Sequence, residues 1–134
     1  MRDILNELKS ALLAEGNQDV YLAFDALPVR GKGGLFTVIG IKSFETTVPV
    51  YSLSNVFLPF KAEAEVSVYA PEEEDMQSLC RYFEERVRPA LDGLASLTTR
   101  ICRLNIRHDG SFRRLVLTAG VSVSGVRRTA RASL

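Results

Sequence analysis

Apolar residues recur at two different spacings along the chain, and each spacing predicts a type of element. Residues 3–14 carry apolar side chains three or four positions apart, which predicts an amphipathic helix that Gly16 ends. Residues 20–24 and 35–41 are short apolar runs, which predict two strands. From Phe60 to Val68 apolar and polar residues alternate, so this segment is predicted to be a strand with one buried face.

A second helix is predicted after Pro71. Glu72 to Asp75 are all acidic and occupy its first turn, where negative charge complements the helix dipole. An apolar stripe then extends from Met76 to Leu94. Because proline has no N–H to donate, Pro89 is expected to kink this helix or to end it early.

The last large element is a predicted β-hairpin. If Asp109-Gly110 forms a two-residue turn, Leu117 lies opposite Cys102, and apolar residues match across the hairpin. The same register places Arg103 and Arg107 on the other face, which is therefore predicted to be basic.

Together these elements predict an α+β fold, a mixed, mainly antiparallel β-sheet with two α-helices packed on one face. A chain of 134 residues suits one domain, expected over 1–125, and 126–134 lack periodicity and are expected to be a flexible basic tail. With 46% apolar residues and no signal-like start, the protein is expected to be globular and cytoplasmic. No membrane partner is expected.

Charge is divided unevenly between the two parts of the chain. Residues 1–92 contain 9 lysines and arginines against 15 acids, and residues 93–134 contain 8 arginines against Asp109 alone. The balances of −6 and +7 nearly cancel in the net charge of +1. Such a chain can present its basic part to a polyanion or dock it against the acidic part of an identical copy.

The segment from Glu45 to Pro59 is too apolar for an ordinary loop. Large apolar side chains in a connection must cover either their own core or a neighbouring subunit, and the sequence leaves both options open. Four of them are candidates for a subunit interface: Val50, Tyr51, Phe57 and Leu58.

The arginines after residue 92 are the other candidates for binding, because arginine pairs with carboxylates at interfaces as well as with phosphates. Arg103, Arg107 and Arg114 are assigned to the subunit interface. A solvated basic face is the simpler interpretation of the whole group. Nucleic acid, bound weakly if at all, is the remaining possibility, with four candidate contacts: Arg113, Arg127, Arg128 and Arg131.

Catalytic chemistry has little support in the sequence. Glu63 and Glu65 have the spacing of paired carboxylates but are more simply the polar side of a strand. The single histidine, His108, falls in a turn, and Cys80 and Cys102 have the spacing of buried core thiols. We therefore expect no enzymatic activity, no cofactor and no metal.

Four segments carry a resemblance to a known family: VIGIKSFET, AEAEVSVYAP, the acidic helix EEEDMQSLCRYFEERVRPAL and the closing LVLTAGVSVSG. With the order of elements, from Met1 to Gly125, they resemble the tail terminator and tail completion proteins of long-tailed bacteriophages and prophages. The resemblance implies a ring, commonly hexameric, that sits on the end of the tail tube, halts its growth and joins it to the head connector. It also implies a virion tail location, after assembly in a bacterial cytoplasm, and supplies no catalytic residue.

The alternative function, from a different class, is a small nucleic-acid-binding module that uses the arginine-rich face. An enzyme with an acidic site at Glu63 and Glu65 is the weakest of the three hypotheses.

Overall fold

Six strands form one mixed sheet, and the helices pack on one of its faces. The structure, a computed structural model, describes residues 2–17, 19–23, 34–111 and 113–130. The predicted α+β class is confirmed.

The helical elements are α1 (Arg2–Ala14), α2 (Met76–Tyr82), a π-helical turn (Phe83–Val87) and α3 (Arg88–Asp92). The strands are β1 (Val20–Leu22), β2 (Phe36–Thr46), β3 (Val50–Tyr51), β4 (Asn55–Pro71), β5 (Thr98–Asp109) and β6 (Arg114–Ala130). They lie in the order β1-β2-β4-β6-β5, and β3 also pairs with β4. Only β1 and β2 run parallel; the remaining pairs are antiparallel.

The two faces of the sheet differ in what covers them. On the inner face, alternate residues of β4 from Phe60 to Ala70 are buried under the helices, as their alternation predicts. Leu8 and Leu12 of α1 and Phe83 of the π turn pack into the same core. No described helix packs on the opposite face, which we call the bare face, although Phe36 and Val116 at one end of it are fully buried.

Pro89 does not end the second helix early. Helical structure continues to Asp92, and the π-helical turn Phe83–Val87 lies where the kink was predicted. In this turn Arg88 donates its N–H to the Phe83 carbonyl, one residue further back than in an α-helix. The wider turn accommodates a residue that cannot donate, so the helix continues past the proline.

A polar joint connects the end of α1 to this helix. Gly16, at φ 97°, closes α1 with a left-handed residue, and the Asn17 N–H returns to the Leu12 carbonyl at 3.1 Å. The buried Asn17 side chain donates to the carbonyls of Leu12 at 2.9 Å and Arg86 at 2.8 Å. It also accepts the Tyr82 hydroxyl. Burial raises the pKa of Tyr82 above its usual value.

The hairpin register predicted from Asp109-Gly110 is wrong by four residues. Asp109 pairs with Arg114 around a four-residue turn, so Leu117 lies opposite Ile106 instead of Cys102. Because four is even, every residue stays on its predicted face as far as the β-bulge between Ile101 and Arg103.

The expectation of buried thiols is wrong for both cysteines. Cys102 lies in the bulge and Cys80 on the outer side of α2, and both are exposed.

Residues 126–130, predicted to belong to a flexible basic tail, form the end of β6. β6 continues past Gly125 to Ala130, because the first residues of β4 extend alongside it and pair Asn55 with Ala130. Residues 131–134 lie outside the described part of the chain. Among the helices described, none is long and apolar enough to cross a membrane.

Candidate subunit interface

The apolar segment 45–59 forms a hairpin that extends the sheet at one end. Val50 pairs with Phe57 and Tyr51 with Val56. A tight turn at 52–54 joins the strands, closed by the Ser52 N–H donating to the Asn55 carbonyl at 2.9 Å. Residues 126–130 of β6 pair with the other side of this hairpin. We call 47–59 together with 126–130 the arm.

The packed core ends where the arm begins. Phe44 and Phe60 stack with their ring centroids 5.5 Å apart, and the Arg127 guanidinium lies 5.3 Å from the first ring and 5.7 Å from the second. Arg127 also pairs with Asp3 at the start of α1, at 2.5 Å. These contacts close the inner face, and no described helix lies over the strands beyond them.

The arm leaves large apolar side chains in water. Leu53 at its tip is 100% exposed, Val48 82%, Tyr51 64% and Val50 56%. Phe57 and Leu58, on β4, are half-buried. In the described part of the chain the exposed side chains Val48, Val50 and Leu53 do not pack into the core, which favours the second of the two options raised by the composition of the segment, a contact with another chain.

The arm also leaves one strand edge open. β5 begins at Thr98 opposite Ser124, so the next residues of β6 have no described strand on that side. The unpaired N–H and C=O groups of such an edge can pair with a strand of another molecule.

The three arginines assigned to the interface differ in how accessible their guanidinium groups are to a partner. Arg103 and Arg107 are exposed on the bare face, as predicted. Arg114 is largely occupied by its own fold: its guanidinium lies 4.6 Å from the Tyr69 ring centroid and 3.5 Å from Asp109, with the side chain 13% exposed. Arg114 therefore offers a partner much less than the other two.

The structure does not bring all the predicted interface residues together. Phe57 and Glu65 are eight residues apart on β4, and Arg103 lies in the same cross-strand row as Glu65. At about 3.3 Å per residue, the apolar arm is roughly 25 Å from Arg103 and roughly 40 Å from Arg107. The candidate residues form two surfaces, one at the end of the sheet and one on its bare face.

The candidate nucleic-acid contacts are also dispersed. Arg113 lies in the β5–β6 turn, about 50 Å along β6 from Arg128 in the arm, taking 3.3 Å per residue. Arg127 is engaged with two aromatic rings and Asp3, and Arg131 lies outside the described residues. They do not form one continuous basic surface.

Sequence reasoning missed three of the exposed residues. Val48 and Leu53 lie inside the apolar segment 45–59 but were not among the predicted interface residues. The turn-forming Ser-Leu-Ser-Asn sequence at 52–55 is a signal for the tip of the hairpin. Arg100 was missed because its face depends on the bulge, which has no signal in the sequence.

Glu63 and Glu65 lie in adjacent rows of the bare face and line a shallow pocket there. Glu65 forms an ion pair with Lys42 at 2.8 Å. In the described parts of the chain, no group of three or more His, Cys, Asp or Glu side chains could hold a metal ion.

No protein-family model matches this chain, and no curated protein matches it. Among solved structures it is similar to the type 4 fimbrial biogenesis protein PilO from Pseudomonas aeruginosa, at 11% identity over 95% of this chain and 69% of that one, with a TM-score of 0.35. It is also similar to the core region of PilO from the type IV pilus system of the same organism, at 13% identity over 83% of this chain and 95% of that one, with a TM-score of 0.26. These scores are too low for either likeness to bear on function.

Proposed function

We propose that this protein is a non-enzymatic structural component of a bacteriophage or prophage tail. It forms a ring, most simply a hexamer, at the end of the tail tube, stops the tube from growing and offers a surface to the head connector. It assembles in the cytoplasm of a bacterial host and remains in the virion tail. The observation that carries this proposal is the uncovered apolar arm.

The arm has the form of a subunit contact. A narrow ribbon of strands has little stability of its own in water, and here neither face is covered by a described element. The cost of exposing Val50, Tyr51 and Leu53 is removed when a neighbouring copy covers them.

A contact made by the arm favours a ring over a two-fold dimer. In the proposed assembly the arm, which extends from one end of the subunit, contacts the body of the next copy. Such a head-to-tail contact repeats from copy to copy and gives a closed ring when the rotation per subunit closes. The opposed charge of the two parts of the chain and the sequence resemblance of 1–125 to tail terminators support the same assembly.

The nucleic-acid-binding alternative gains no comparable support. Its arginines are spread along the molecule. Two arginines of this basic region, Arg114 and Arg127, already pack their guanidinium groups against aromatic rings of the same subunit.

The arm variant Tyr51→Ser/Leu53→Ser tests the proposal. Both side chains are exposed, so the subunit should fold normally while each ring contact loses about 3 kcal/mol, more than a hundredfold in association constant. Sedimentation velocity should show rings for the wild type and smaller species for the variant. Leu13→Ser, which removes an exposed leucine from α1, is the matched control and should leave the rings intact.

The same variants test the role at the tail tube. With tail tube protein present, the wild type and the Leu13→Ser control should limit tube length in electron micrographs, whereas the arm variant should give abnormally long tubes. A wild type that stays monomeric at every concentration, with tail tube protein included, would overturn the proposal.

A further inference from the structure

The bare face carries charged side chains in matching rows. One row across the sheet consists of Arg100 on β5, Ser122 on β6 and Glu63 on β4. In the next row, Arg103, Gly120 and Glu65 occupy the same three strands. A column of arginines and a column of glutamates therefore flank a central column of small residues.

The β-bulge in β5 is what aligns the arginines. Residues three apart on a regular strand point to opposite faces, which would send Arg100 and Arg103 to different sides of the sheet. The extra residue between Ile101 and Arg103 returns both arginines to the bare face, in adjacent rows.

Most of these charges are not neutralised by another described residue. Across the described residues, Arg100, Arg103 and Glu63 take part in no ion pair, and all three are exposed. Only Glu65 is paired, with Lys42. Arg100 and Glu63 lie two strand spacings apart with β6 between them, about 10 Å at 4.8 Å per spacing, which favours pairing with another molecule over direct pairing within the row.

We propose that the bare face binds a second copy of this chain, face to face, about a two-fold axis that runs along β6. Such an axis places β6 over β6 and β5 of each copy over β4 of the other. Position along the strands is preserved, so Arg100 of each copy faces the second copy's Glu63, and Arg103 faces the second copy's Glu65. Every pair is made twice, as a two-fold interface requires.

The central column permits the close approach that this arrangement needs. Gly120 has no side chain and Ser122 a small one, but the Arg103 side chain lies over Gly120, 3.5 Å from the position that a Cβ would take there. The two sheets therefore meet at the axis only when Arg103 turns outward toward the second copy's Glu65. Three strands (β4, β6 and β5) at 4.8 Å and nine residues at 3.3 Å give roughly 430 Å² per copy, below the size of most specific interfaces. The contact is therefore weak and salt-sensitive.

This contact is separate from the arm contact of the proposed ring. A two-fold contact involves two copies, so it either pairs single subunits or joins two rings. The face-to-face dimer and the ring formed through the arm are therefore independent, and an experiment can refute one without refuting the other. For this reason the dimer is measured in an arm-defective background, Tyr51→Ser/Leu53→Ser.

Charge reversal in that background tests the pairing. Arg100→Glu and Glu63→Arg should each weaken the dimer by about tenfold or more in sedimentation equilibrium at low salt, because like charges then face each other. The double variant Arg100→Glu/Glu63→Arg should restore it, and so should a mixture of the two single variants. Glu85→Arg, an exposed reversal on the helix side, is the control and should leave the dimer unchanged.

Chemical cross-linking between cysteines tests the position of the axis. In a chain with Cys80→Ser and Cys102→Ser, the variant Ser122→Cys should be cross-linked to its own copy by a bismaleimide that spans about 10 Å, because the axis places this residue opposite itself at the spacing of packed sheets. Ser43→Cys, also on the bare face but on β2, should not. Absence of a dimer at low salt, an association constant unmoved by Arg100→Glu, a double variant that restores nothing, or equal cross-linking at both positions would overturn the proposal.

Discussion

Replacing Asn17 with alanine should weaken the connection between α1 and the second helix. The Asn17 side chain is 2% exposed and makes three hydrogen bonds, to the carbonyls of Leu12 and Arg86 and to the Tyr82 hydroxyl. Alanine leaves all three partner groups in place with no replacement donor or acceptor.

The expected loss follows from those three groups. A buried hydrogen bond contributes about 1 kcal/mol net to stability. Alanine removes three such bonds and leaves their partner groups buried and unsatisfied, so Asn17→Ala should cost about 3 kcal/mol. For a domain of this length the midpoint of thermal unfolding should fall by roughly 10 °C. Tyr82→Phe removes only one of the three bonds and should cost about 1 kcal/mol.

Urea unfolding followed by circular dichroism measures these losses. Asn6→Ala is the matched control, because Asn6 is exposed on α1 and its replacement should be neutral or slightly stabilising. If Asn17→Ala cost no more than Asn6→Ala, the joint would contribute nothing to stability, and the reasoning would be refuted.

The same joint predicts a response to alkaline pH. Burial raises the pKa of Tyr82 above its ordinary value of 10.0, so the folded state holds this proton more tightly than the unfolded state. The associated stability is fully present below about pH 10 and is lost as the pH rises toward the higher folded-state value. Tyr82→Phe should show a smaller loss over that range, and equal slopes for the two proteins would contradict the assignment.

Two further substitutions test the core and the end of α1. Leu117→Asp should unfold the protein, because an unpaired charge on the buried inner face costs several kcal/mol, whereas Leu104→Asp, at a site 47% exposed, should leave the circular dichroism spectrum native. Gly16→Ala should cost about 1–2 kcal/mol in urea unfolding, because φ is 97° and the added Cβ lies 3.0 Å from an Arg86 nitrogen. Gly110→Ala should be nearly neutral, because its added Cβ makes an ordinary van der Waals contact with His108 at 3.9 Å.

The parts of the fold that follow from side-chain periodicity could be predicted from the sequence. α1, predicted over 3–14, is found at Arg2–Ala14, and the alternation from Phe60 to Val68 lies on β4 with its predicted face buried. Both succeed because burial on one side imposes a regular spacing on each element by itself.

The hairpin register and the arm could not be predicted in the same way, because they depend on how strands pair. Alternate residues from Leu115 to Val123 are apolar, so registers that differ by two or four residues bury equivalent side chains. The turn decides between them, and four residues close it instead of the two expected from Asp109-Gly110. The apolar content of 45–59 likewise indicates burial without indicating which molecule provides it.

The bulge in β5 shows why the bare-face site was only partly visible in the sequence. Cys102 is small and compatible with either face of the sheet. The apolar and polar pattern around it therefore also fits a regular strand without a bulge, and such a strand would place Arg100 on the inner face. Only the observed pairing of Ile101 with Val121 and of Arg103 with Gly120 reveals the additional residue. A one-residue irregularity leaves the fold class unchanged but decides which charges share a surface. The arginine content of a strand therefore predicts that it is basic, whereas the partner that the surface fits depends on where the strand pairing is interrupted.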